Sequence, residues 1–213
     1  GIPMGAVAFQ YEHVFRENNV EVFSANFALY GDMSHRVMSI LQGFAPEMEV
    51  YSIDEAFLLF EGCEKFDLKV LGEKMVAQVR QWTGIPISVG FAPSKALAKV
   101  ANRIAKKYPI QTNSCYIIRS DESRLKALKW LKIEDVWGVG RQNAKKLWHV
   151  GVKTAYDFTQ LSDAWVRRNM SVVGLRLKHD LLGIPTIQME EVSSKKSITT
   201  SRSFERNLVE FEE

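Results

Sequence analysis

The 213-residue sequence lacks several features that would define a function class at once. No apolar run approaches the roughly 20 residues of a membrane span, and no secretory leader is visible, so a membrane partner is not expected. Two cysteines, Cys63 and Cys115, offer neither a disulfide framework nor metal-ligand spacing, which makes a reducing cytosol the expected compartment. There is no internal repeat and no low-complexity tract. The chain opens GIPMG with no initiator methionine, the way a processed or truncated piece begins. Apolar and charged fractions of 46% and 25% are those of ordinary globular protein with a sizeable core.

Net charge is also small, +3, but it is unevenly distributed. Between Arg119 and Leu182 there are 13 Lys and Arg against 7 Asp and Glu, a balance of +6; the remainder, 15 against 18, carries −3. A basic second half points to a polyanion contact confined to one region, with a solvated helical surface as the plain alternative.

Periodicity divides the chain in two. The first twenty residues read as a short helix and loop, with a possible strand at Val20 to Phe23. Apolar residues at Tyr30, Met33, Val37, Ile40, Leu41 and Phe44 predict a helix ended by Gly43 and Pro46. Strand-like runs follow at Glu49 to Ile53 and Ala56 to Phe60. A helix runs from an Asp67 N-cap to a Gly84 C-cap, then a buried strand in IPISVGFA, then a helix capped by Ser94 and ending at Lys106 or Lys107. CYIIRS is a further strand, and Asp121 to Leu131 a short helix. After Lys132 only short helices are predicted, broken by Gly138, Gly140, Gly151 and Ser162. Gly183 to Ser197 reads as a polar linker, and ITTSRS as strand-like.

Three stretches could carry chemistry. VYSIDEAFLLF places Asp54 and Glu55 side by side within an apolar run, a costly arrangement unless they are solvated or share a cation. From mid-strand they would face opposite ways; at a hairpin turn both can approach one divalent ion, and hard oxygen ligands suit Mg2+. Two such ions are the usual apparatus of in-line phosphoryl transfer. An exposed acidic turn is the alternative. In SKALAKVANRIAKK, Lys95, Lys99, Arg103 and Lys106 fall within roughly 80° on a helical wheel, opposite Leu97, Val100, Ala101 and Ile104. Such a row suits a triphosphate or nucleic-acid backbone, or is an ordinary solvated face. In VWGVGRQNAKKL, Gly138, Val139 and Gly140 form a tight turn before Arg141, Lys145 and Lys146. The pattern is similar to the helix-hairpin-helix of non-specific DNA binders, whose helix N-terminus holds a phosphate; a plain helical turn is the alternative.

In this order the three stretches resemble the Y-family of translesion DNA polymerases. YSIDEAF is similar to that family's second palm carboxylate motif, SVGFAPSKALAKVANRIAKK to the strand and helix after it, and IEDVWGVGRQNAKKLWHVGV to its thumb. FSANFALYGDMSHRVMSIL and ITTSRSFER resemble its polymerase V branch, so the likeness is collinear over nearly the whole chain. It implies an α/β (α+β) palm with a mixed or antiparallel sheet and flanking helices, followed by a small all-α thumb with a helix-hairpin-helix. Residues 1–24 would end a fingers domain, 25–128 form most of the palm, 129–185 the thumb, and 186–213 a linker and the start of a little finger.

The same resemblance implies template-directed nucleotidyl transfer with two Mg2+ ions. Asp54 and Glu55 would be catalytic metal ligands, and Lys106 would contact the incoming deoxynucleoside triphosphate. Lys95, Lys99, Gly138, Val139, Gly140, Arg141 and Lys145 would contact primer–template DNA. Accessory protein subunits and a sliding clamp are partners of the family. The family's first palm strand, with its own aspartate, should precede this chain and is absent, so the chain as given is expected to be inactive alone. A non-catalytic DNA-binding module and another two-metal phosphotransferase remain the alternatives.

Overall fold

A computed structural model describes residues 1–60, 62, 67–190 and 197–201 of the chain. It is a mixed structure of helices around two small sheets. A 3-10 turn at Ala8–Tyr11 leads into α1 (Glu12–Glu17). Val20 to Phe23, which the sequence suggests as a strand, is irregular and exposed: its two valines and Phe23 find no neighbouring strand among the described residues. Helix α2 (Phe27–Gln42) begins at Asn26, whose side chain accepts from the Leu29 N–H, and buries Val37, Met38 and Leu41.

Strands β1 (Glu47–Val50) and β2 (Ala56–Leu59) form an antiparallel hairpin with Glu47 opposite Leu59 and Val50 opposite Ala56. The first strand therefore stops three residues before the expected Ile53, because residues 51–55 form the connecting loop. Helix α3 (Leu68–Thr83) has the expected Asp67 cap and a left-handed Gly84 at its end, φ 75°. Strand β3 (Val89–Phe91), shorter than the IPISVGFA run, pairs in parallel with β4 (Cys115–Ile117). Between them lie α4 (Lys95–Lys107), capped by Ser94, and the single turn α5 (Pro109–Thr112).

Gly90 explains how α4 meets the sheet. A Cβ there would lie 2.2 Å from the Asn102 nitrogen and 2.4 Å from the Ala98 carbonyl oxygen, so helix and strand backbones touch directly. The expected single sheet is two separate ones. Among the described residues β2 pairs only with β1 and β3 only with β4.

From here the chain is helical: α6 (Asp121–Trp130), a 3-10 turn at Ile133–Asp135, α7 (Arg141–His149), α8 (Ala155–Gln160) and α9 (Asp163–Leu181). Ser120 and Thr154 close capping boxes with Ser123 and Asp157. The last helix is longer than predicted and breaks at Ser171, φ 62°. One apolar cluster joins α4 to these helices through Leu97, Leu128, Ile133, Leu147 and Phe158; a second holds α2, α3 and β3 together.

The expected linker is pinned at its start. Fully buried Asp180 accepts from the backbone N–H groups of Ala96, Thr186 and Ile187, and the Glu190 N–H donates 2.6 Å to Glu49. Residues 191–196 and 202–213, which include the 202–206 part of the ITTSRSFER stretch, lie outside the described residues, as does Cys63. No described helix is long and apolar enough to cross a membrane.

Candidate active site

The 51–55 loop is held by its own polar groups. The N–H groups of Tyr51 and Ser52 both donate to the Glu55 carbonyl at 3.0 Å. The Ser52 hydroxyl donates to Asp54 Oδ1 at 2.6 Å, and Ser34 of α2 donates to the Ile53 carbonyl at 2.5 Å. These bonds fix the turn that carries the acidic pair. Asp54 is exposed and Glu55 half-buried.

Both residues line one cleft of about 460 Å3 together with Lys99, Asn102 and Lys106 of α4. Its walls include β2 at Ala56 to Leu58, β3 at Val89 to Phe91, and Val37 and Leu41 of α2. The cleft is therefore lined by both β2 and β3, which do not pair with each other among the described residues, and it holds the carboxylates and lysines together. Asn102, which donates to the Ser88 carbonyl at 2.5 Å, is a cleft residue that helical-wheel reasoning passes over.

The row of four cations along α4 is only half solvated, with Lys95 and Lys99 withdrawn and Arg103 and Lys106 exposed. Lys95 is buried, 9% exposed, and its Nζ donates to Glu49 while sitting 4.9 Å from the Phe57 ring centre. Lys99 pairs with Glu55. Arg103 Nη2 pairs with Asp135 Oδ1 at 2.5 Å, and Lys106 is exposed without a carboxylate partner among the described residues. The reason is that α4 is covered on two sides. Acids of the β1–β2 hairpin and of the helical region reach it, so Lys95, Lys99 and Arg103 each meet an acid from a different segment, and Lys106 meets none among the described residues. Lys95 in particular is committed to Glu49 in the interior. Glu49, a lone acid in the strand pattern MEV, was the available signal for a buried partner.

The 136–140 turn is tight. Val139 donates to the Val136 carbonyl at 3.0 Å and its side chain is buried, while Gly138 takes φ 84°. Gly140, Arg141 and Lys145 are exposed. Gly140 caps α7 without a side-chain acceptor, so the first N–H groups of that helix have no cap from it. Asp54, Glu55, Lys99 and Lys106 are thus brought to one cleft, and the glycine turn forms a separate place.

The residues present fit a hard divalent ion in part. Two adjacent carboxylates at a fixed loop supply oxygen ligands, and Lys99 partly offsets their charge. Among the described residues no cluster of three acidic, His or Cys side chains completes such a centre.

A family model described as impB/mucB/samB matches residues 1–103. Protein UmuC of Salmonella typhimurium is 39% identical over 215 residues, covering 100% of this chain and 51% of the relative. Protein ImpB of Salmonella typhimurium is 37% identical, covering 99% and 50%. DNA polymerase IV of Desulfatibacillum aliphaticivorans is 30% identical over 190 residues, covering 87% and 46%. The chain spans about half the length of the curated relatives it matches. Among solved structures, an insertion ternary complex of Dbh DNA polymerase superposes with a TM-score of 0.69 at 24% identity, covering 90% of this chain and 54% of that one. A Y-family DNA polymerase chimera does so at 0.63 and 25%, covering 79% and 48%. The fold is that of these polymerases; the first 103 residues match the impB/mucB/samB family, and the whole chain is similar to UmuC-type proteins.

Proposed function

We propose that the chain is the palm and thumb portion of a translesion DNA polymerase acting in DNA repair in the cytoplasm. The observation that carries this reading is the meeting of Asp54, Glu55, Lys99 and Lys106 at one cleft, in a chain collinear with relatives named as polymerases. Residues 1–24 end a fingers domain, 25–128 form the palm, 129–185 the thumb, and 186–213 lead to a little finger.

Asp54 and Glu55 hold Mg2+, two ions in the complete site, which when bound neutralise charge on the transferred phosphoryl group. The primer 3′-hydroxyl forms a new bond to the α-phosphorus, the bond to the β-phosphate oxygen breaks, and pyrophosphate leaves. Lys106, exposed at the cleft, meets the triphosphate; Lys99 balances Glu55 before the ligands arrive. The glycine turn and α7 act as a helix-hairpin-helix. Exposed Gly140, Arg141 and Lys145 and the uncapped first N–H groups of α7 receive a backbone phosphate, while Val139 supports the turn from the core. A strand carrying a further carboxylate fits between the free edges of β2 and β3, where the cleft is lined by both. Accessory subunits and a sliding clamp join the complete protein.

The test is primer extension by a polypeptide carrying this chain at the length of its relatives. Asp54→Ala and Glu55→Ala should each lower the rate by at least about 100-fold, and Lys106→Ala should raise the nucleotide KM. Cleavage of DNA without extension would assign the site to a different phosphotransferase. DNA binding with no Mg2+-dependent chemistry would leave a binding module.

A further inference from the structure

Tyr51 of the carboxylate loop and Trp137 of the glycine turn lie 86 residues apart in sequence, yet one aromatic contact joins them directly. Trp137, immediately before Gly138, donates its indole N–H to the Tyr51 hydroxyl at 3.1 Å. Tyr51 begins the loop whose far end is Glu55, and its own N–H bonds the Glu55 carbonyl. The rings of Tyr51, Phe57 and Trp137 form a closed triangle with centre separations of 5.6, 5.6 and 5.7 Å, two of the three contacts edge-on. Lys99, the partner of Glu55, sits 5.9 Å from the Tyr51 ring centre, and Lys95 stands over Phe57. A second tie runs in parallel: Asp135, two residues before Trp137, pairs with Arg103 of α4.

The glycine turn is thus connected to the acidic pair by short, directional contacts as well as through the core shared by Val136, Val139 and α4. An edge-on aromatic pair with a hydrogen bond has a preferred geometry, unlike a loose apolar contact. Trp137 packs against the core and Phe57 is buried, but Tyr51 is half exposed and its hydrogen bond to Trp137 lies at the surface, outside what core packing alone requires.

We infer that Trp137 and Tyr51 are positioning residues that register the DNA-phosphate turn to the metal-binding loop, so that DNA held at the turn favours the loop geometry that binds Mg2+. The inference rests on the polymerase reading of both places. Coupling of this kind is reciprocal: if DNA tightens Mg2+ binding, Mg2+ tightens DNA binding by the same factor.

The experiment measures the affinity of the chain for a fluorescent primer–template duplex by anisotropy, in EDTA and in Mg2+ at constant ionic strength. Asp54→Ala supplies the baseline for the effect of Mg2+ on the DNA itself. The wild-type chain should bind the duplex at least about 5-fold tighter in Mg2+, beyond that baseline. Tyr51→Phe keeps the ring and Trp137→Phe keeps a smaller aromatic ring in its place; both remove the hydrogen bond. Each should cut the Mg2+ factor to less than about 2 while changing affinity in EDTA by less than about 2-fold, and the double variant should equal either single one. A Mg2+ factor that persists in both variants overturns the coupling and leaves the polymerase reading standing, as does a lower melting temperature with an unchanged factor. A wild-type factor equal to the Asp54→Ala baseline overturns the coupling; the metal assignment itself fails only if direct Mn2+ binding is the same in the wild type and in Asp54→Ala.

Discussion

Lys95 and Lys99 lie one helical turn apart on α4 and serve different ends. Lys95 is buried against Glu49, where an unpaired charge is costly; Lys99 reaches the cleft and Glu55. Lys95→Ala should destabilise the fold by about 3–5 kcal/mol, because it strands Glu49 in the interior, and urea denaturation reads that loss directly. Lys99→Ala, at a half-exposed pair, should cost less than about 1 kcal/mol in the same measurement. Residue chemistry was legible in the sequence where it depended on neighbours in the chain. Asp54 and Glu55 are adjacent, so their need for a turn followed from strand geometry, and the turn is there. The partners of Lys95 and Arg103 were not legible. Glu49 and Asp135 come from elements 46 and 32 positions away, and a helical wheel sees only one helix.

At the scale of elements, the caps were the best-marked features: Asp67, Ser94 and Gly84 stand where their side chains or backbone predicted. The sheet was not. Two edges left unpaired among the described residues turn the expected sheet into a cleft, and strand length is set by that pairing rather than by propensity. Gly90→Ala should cost at least about 2 kcal/mol by calorimetry, since its Cβ would meet only backbone of α4 and neither side can yield cheaply.

The helical region has an acid-sensitive element. Burial alone would raise the Asp157 carboxyl, but the backbone N–H groups of Lys153 and Thr154 and the Thr154 side chain outweigh it and hold the value below the ordinary 3.8. Lys178 and then His179 lower Asp163 in the same direction. A carboxyl depressed on folding adds stability above its unfolded value and loses it as pH falls through the folded one. Stability should therefore drop below about pH 4, and Asp157→Asn should flatten part of that drop in denaturation midpoints taken from pH 6 to 2.5.

For the whole molecule, α4 is the hub: it touches the parallel sheet at Gly90, the hairpin through Lys95 and Lys99, and the helical region through Arg103 and the core around Leu97. That arrangement puts the acidic loop and the exposed Lys106 at one cleft. The most direct test is a titration of the chain with Mn2+ as a paramagnetic stand-in for Mg2+, reading free ion by electron paramagnetic resonance in the presence of a deoxynucleoside triphosphate. Saturable binding beyond that of the nucleotide alone, lost in Asp54→Ala and in Glu55→Ala, is the predicted result. Equal binding by the wild type and both variants would contradict the assignment of that loop as the metal site.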